Sequence, residues 1–242
     1  RRLPRGVERT EAGESCYVHA GQIRALSDAA LEKTKGIARG MNGSLVPGIT
    51  SSAAFHSQIF SLLYQFQQRY PAVALRQVEG NMATLMHALG EAELDIAFVR
   101  LPCESSKAFN LRIIAEEPMV IALHRSHPLS GESALSLAQL SDAVPVIFPP
   151  EVAPGLYEQV YDGCRRAGVD MSRARQSSQI SSSISMVDAG FGFALVPQSM
   201  TCICLPNVTW HPLQDASLKT EIAIAWRRFE RSRTVKRFLE MF

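Results

Sequence analysis

Long hydrophobic runs are missing from this 242-residue chain. The longest apolar stretches, such as Pro118–Leu123, fall far short of the ~20 residues that a membrane helix needs, so no membrane partner is expected. Cysteine is scarce and unpatterned. Cys16, Cys103, Cys164, Cys202 and Cys204 are odd in number and irregular in spacing, which argues against a disulfide framework and fits a reduced, cytoplasmic chain. Charge of one sign is also missing: the net charge is +2, so no global basic field points to nucleic acid. Residues 1–40 carry +3 and the remainder −1, a mildly basic head on a near-neutral body. The charged N-terminus lacks the apolar stretch of a secretory leader. A chain that opens on Arg1 rather than Met is expected to be a fragment of a longer protein.

Catalytic signatures are equally sparse. No G-x-S-x-G elbow occurs, and no serine has an obvious nucleophile context. His124 and His127 sit three apart in an extended segment running into a turn, without the further ligands that zinc needs. Cys202-x-Cys204 has no second pair. Gly190-x-Gly192 lacks the third glycine of a dinucleotide fingerprint and does not follow the first strand; it suits a tight passage from helix to strand. No metal, no cofactor and no enzymatic activity are expected.

What is present is an ordinary globular composition, with 46% hydrophobic and 20% charged residues, and a clear order of elements. Residues 1–15 are polar and turn-rich. Residues 16–39 read as one helix, with Cys16, Ile23, Ala30 and Ile37 seven apart and Leu26 on the same heptad count. So narrow a seam suits pairing between two helices of different chains, the alternative being a surface helix lying on its own domain. Residues 40–43 act as a linker. Strands at 44–50, 72–78 and 94–99 then alternate with helices at 53–70 and 82–90, a βαβαβ run that predicts a mostly parallel, helix-covered α/β sheet. Residues 111–123 are extended, with Pro118 interrupting them. A second series follows: strand 144–148, helix 154–167, strand 174–180, helix 182–189, strand 192–196. Strands at 208–213 and 220–226 and a helix from about 231 close the chain. Two such series joined by extended segments suggest two lobes with a ligand cleft between them.

The polar groups of interest lie where strands hand over to helices. Thr50, Ser51 and Ser52 follow the first strand; a serine there either caps the next helix or helps its free N–H groups receive an anion. Asn81 and Met82 mark a second passage. Pro154, Gly155 and Leu156 begin the helix of the second series, and Arg100 ends a strand and supplies a fixed positive charge.

These segments carry a resemblance. PRGVERTEAG (4–13), GITSSAAFH (48–56), RYP (69–71), LDIAFVR (94–100), PMVIALHRSHPL (118–129) and VDAGFGFALVP (187–197) together resemble the LysR-type transcriptional regulators over essentially the whole chain. The resemblance implies a two-lobed effector-binding domain with the fold of periplasmic solute-binding proteins. Lobe I would comprise 43–121 and 209–242, and lobe II 122–208. Residues 1–15 would be the end of a winged helix-turn-helix and 16–42 a dimerising linker helix. AFVRL (97–101) and IFPPEVAPGL (147–156) are most similar to regulators of benzoate, muconate and chlorocatechol breakdown, although Met82 and Leu156 depart from that subgroup's usual hydroxyl and aromatic residues.

The function so implied is sensing of a small organic acid, an aromatic-pathway one. Its carboxylates would meet Ser51 or Ser52 beside Thr50, the turn at Asn81 and Met82, Arg100, and the helix start at Pro154, Gly155 and Leu156. The partners are that carboxylate effector, a second copy (dimer or tetramer), and promoter DNA through a head mostly upstream of Arg1; here only Arg1, Arg2 and Arg5 would touch phosphate. The rivals are a periplasmic-type solute-binding protein for an organic acid and an enzyme of the same fold. The enzyme would need a carboxylate or histidine that the cleft rim, as read, does not offer.

Overall fold

The computed structural model describes residues 2–3 and 6–7 as backbone, and residues 10–103, 107–214 and 218–242 in full. Arg1 and Arg5 lie outside the described residues, as does the side chain of Arg2. Strands β1 (Arg2–Leu3) and β2 (Gly6–Val7) pair antiparallel.

Helix α1 spans Glu11–Ala38 and starts earlier than expected. Thr10 caps it by accepting from the Gly13 N–H at 3.1 Å, and Glu11 and Glu14 in the first turn face the positive end of the helix dipole. The polar composition of 11–15, expected as turn, is therefore the signature of a helix N-terminus. None of the helix's residues is buried. Ile23, Leu26 and Ile37 are 69%, 73% and 51% exposed, so the heptad seam does not lie on the chain's own body.

The expected first strand is two strands, β3 (Gly43–Leu45) and β4 (Pro47–Thr50). Val46 separates them because its N–H goes to the Asp95 carboxylate at 2.8 Å and its carbonyl to the Asp95 N–H at 2.9 Å. Pro47, which has no N–H to give, then opens β4. A 3-10 turn at Ala53–Phe55 precedes α2 (Ser57–Arg69), which buries Ile59, Leu63 and Phe66 at spacings of four and three. The next strand is also divided, into β5 (Val73–Leu75) and β6 (Val78–Gly80), followed by α3 (Met82–Gly90) and the almost wholly buried β7 (Ile96–Leu101).

The pivotal element is β8 (Phe109–His124), sixteen residues that run unbroken through Pro118. Its first part pairs antiparallel with β13 (Lys219–Arg227) from Phe109 to Pro118. From Met119 onward its partners are β11 (Ala194–Pro197) and, from Val120, β12 (Val208–Pro212). The missing N–H of Pro118 thus falls where the ladder changes partner, which is why the strand survives it. Between these lie β9 (Val146–Ile147), α4 (Pro154–Arg166), β10 (Arg175–Gln176) and α5 (Ile180–Asp188), and the chain ends with α6 (Arg233–Leu239).

Two lobes result. One holds the sheet order β8-β13-β7-β4-β6, with cores around Phe66, Phe98 and Phe238 on one face and Leu85, Leu89 and Val99 on the other. The other is built on β11, β8 and β12 around Ile121, Phe148, Leu156 and Phe193. The sheets are mixed rather than mostly parallel: β4 is parallel to β6 and β7, while β13 runs antiparallel to β7 and β8. Strand β12 and Leu218 belong with the second core, so the chain returns to the first lobe at β13, later than the expected 209. Gly190 and Gly192 have φ of +80° and +148°, the backbone that the turn from α5 to β11 requires.

Candidate functional site: the cleft between the lobes

The C-terminal end of β4 delivers Thr50, Ser51 and Ser52 to the junction of the lobes. Ser52 is buried and does not cap the following turn. Its hydroxyl accepts from Arg100 Nε and its carbonyl from Arg100 Nη2, both at 2.9 Å. Thr50 is 5% exposed, and its buried Oγ1 has no hydrogen-bond partner among the described residues. A hydroxyl left so costs about 1–3 kcal/mol unless something else supplies its bond. Ser51, between them, is half-buried.

Arg100 is not the exposed strand-end cation that position alone suggests. It is 1% exposed and lies 2.7 Å from Glu117, itself 5% exposed. Burial pushes the guanidinium below its ordinary value, and the Glu117 charge opposes that push. Glu117 stands on β8 one residue before Pro118, where the chain crosses between lobes. From the second lobe it receives the Ser199 N–H at 2.5 Å and the Ser199 hydroxyl at 3.1 Å. Arg100 reaches the same hydroxyl at 3.3 Å. Ser52, Arg100, Glu117 and Ser199 therefore form one buried polar knot that ties the first lobe to the second. Its carboxylate corrects the expectation that the rim holds none.

On the same rim, beside Thr50, whose neighbour across the sheet is Gly80, Asn81 caps α3, its Oδ1 accepting from Thr84 N–H at 2.8 Å. Met82 is buried, and its N–H lies 3.5 Å from the carbonyl of Val152 in the second lobe. Pro154 opens α4 and is exposed, while the Leu156 side chain lies in the second core. What α4 offers the cleft is the backbone of its first turn, whose N–H groups have no carbonyl one turn earlier to bind. Gly155 sits directly against the backbone of Pro102 at the end of β7, where a Cβ would collide. The lobes thus touch at Met82–Val152 and Pro102–Gly155. The nine cleft residues expected from the sequence all fall at this junction or on the helix starts beside it. Glu117 and Ser199 were missed, although two adjacent carboxylates in an apolar strand, Glu116 and Glu117, were a readable signal.

Among the described residues no group of three or more His, Cys, Asp or Glu could hold a metal ion, and no helix is long and apolar enough to cross a membrane. His124 Nδ1 pairs with the Ser126 hydroxyl at 2.7 Å, and His127 Nδ1 accepts from Leu129 N–H at 3.2 Å, each closing a local turn.

Residues 38–242 match the family model described as the LysR substrate binding domain. The chain is 98% identical to the HTH-type transcriptional regulator BudR of Raoultella terrigena, over all of this chain and 83% of that protein. It is 26% identical to the regulator BenM of Acinetobacter baylyi over 94% of the chain and 75% of BenM. Among solved structures it superposes on the LysR family regulator CbnR with a TM-score of 0.84 at 22% identity, covering 99% of this chain and 82% of that one. These figures do not support a place among the benzoate and muconate regulators: identity to BenM is at the level of distant family members, far below that to BudR. They do not favour a periplasmic solute-binding protein either. The chain belongs to the LysR-type transcriptional regulators.

Proposed function

We propose that this chain is the sensing part of its regulator, and that it binds a small organic acid in the cleft between the lobes. The acid's carboxylate would meet Thr50 and Ser51 beside Ser52, the α3 start at Asn81 and Met82, and the first turn of α4 at Pro154, Gly155 and Leu156. The observation that carries this reading is Thr50, a buried hydroxyl without a partner among the described residues at the carboxyl end of a strand, where open α/β sheets receive ligands. In this reading Arg100 acts through the knot: its charge is held by Glu117, and it fixes Ser52 in place. A ligand that prefers one lobe spacing shifts the equilibrium toward that spacing. The exposed seam of α1 joins two copies, which carry the change to promoter DNA through head domains in the cytoplasm. Arg1, Arg2 and Arg5 are assigned to phosphate contacts of the wing.

The test is a thermal-unfolding panel running from short aliphatic acids through amino acids to salicylate, benzoate and muconate. A ligand at 100 times its dissociation constant stabilises the fold by about 2.7 kcal/mol. At least one acid is expected to do so, and a panel with no shift from any carboxylate overturns the assignment.

A further inference from the structure

Away from the cleft, the junction of α1 with α6 forms an open surface concavity of about 260 Å³ lined by the exposed residues Ala38, Arg39, Arg233, Lys236, Arg237 and Glu240. Four of these six side chains are cationic. The single carboxylate of the lining, Glu240, is already paired with Arg237 at 3.1 Å, so Arg39, Arg233 and Lys236 face the same space without an ion-pair partner among the described residues. Their positions are held from both sides. Arg39 ends α1, its N–H bonded to the Lys35 carbonyl. Gly40 packs against the backbone of Arg233, and α6 is anchored by buried Val235 and Phe238. Like charges gathered in one concavity repel each other, and a multiply charged anion relieves that repulsion while gaining charge-assisted hydrogen bonds from the guanidinium groups.

We propose that this concavity is a second ligand site, for a compact, multiply charged phosphoanion. Two sources supply phosphate oxygens, a free small molecule and the phosphodiester backbone of DNA. The free molecule is favoured by distance. The 28 residues of α1 put about 42 Å of helix between this concavity and the end of α1 that leads to the head. A bound anion would join the last turn of α1 to α6, and so stiffen the passage between the sensing body and the pairing helix.

A solvated basic patch that merely answers the carbonyl end of α1 is the plain alternative, and the experiment separates the two. Calorimetric titration of the chain with inorganic pyrophosphate, with sulfate and a non-promoter DNA duplex alongside, is run on the parent and on Arg233→Gln/Lys236→Gln. Saturable pyrophosphate binding at one site per chain is expected. It should be at least ten-fold tighter than sulfate and at least ten-fold weaker in the double variant. Both substituted side chains are exposed, so the variant should keep the parent's unfolding temperature and any cleft-ligand response, which makes failure here distinct from failure of the cleft reading. No pyrophosphate binding, binding unchanged in the variant, or a loss seen with DNA alone overturns the proposal. A variant that unfolds earlier and binds no less pyrophosphate shows cations that serve only the helix.

Discussion

Glu117→Ala is the substitution that the buried knot makes most consequential. It leaves Arg100, 1% exposed, without its ion-pair partner among the described residues, and strips Ser199 of the acceptor for both its N–H and its hydroxyl. Removing one member of a buried ion pair costs about 3–5 kcal/mol, because the orphaned charge cannot regain water. At about 2–4 °C per kcal/mol for a domain of this size, unfolding should move down by roughly 6–20 °C. Thermal unfolding followed by far-UV circular dichroism measures the shift, and urea denaturation the free-energy loss. The partner experiment is Arg100→Ala/Glu117→Ala: with the guanidinium gone, loss of the carboxylate should cost far less, giving a coupling energy of about 2–3 kcal/mol. A single-variant loss below about 1 kcal/mol would mean that water reaches the pair, as it does in surface bridges, and would refute the reasoning.

Three further outcomes follow from other parts of the fold. Ile23→Asp/Leu26→Asp alters two side chains about 70% exposed on α1, so stability should change by no more than about 0.5 kcal/mol while light scattering reports loss of the pairing between copies; an unchanged mass would remove α1 from that role. Gly155→Ala puts a methyl group into the backbone of Pro102, which should cost about 1–3 kcal/mol and widen the lobe spacing seen by small-angle scattering; unchanged stability and spacing would mean that the lobes do not touch there in solution. In a thiol titration at pH 8 the exposed Cys16, Cys202 and Cys204 should react at once and half-buried Cys103 slowly. Cys164, whose thiol burial pushes up to about 11, should react only after denaturation, since the thiolate is the reactive form; prompt reaction of all five would contradict the packing of α4.

The sequence was most legible where local periodicity and burial agree. The spacing of Ile59, Leu63 and Phe66 marks α2, and the apolar run of β7 marks a central strand. The exposed heptad seam of α1 was readable because none of the described residues covers it. Breaks were less legible wherever a distant side chain decides them: Asp95 ends the ladder at Val46, and no local signal near Val46 announces it. Pro118 misled for a related reason, since its missing N–H is harmless only because the strand changes partners there. At the junction of the lobes, the hydroxyl and amide residues at strand ends could be placed by position. The partner of Arg100 could not, because sixteen intervening residues separate Arg100 from Glu117 and no local spacing links the two.

The central claim is that the acid binds at Thr50 between the lobes. A crystal structure of the chain with the acid that stabilises it most is the direct measurement. The account predicts a carboxylate within hydrogen-bond distance of Thr50 Oγ1 and of the first-turn amides of α4. A carboxylate bound elsewhere on the molecule, with Thr50 Oγ1 still unpartnered, would contradict it.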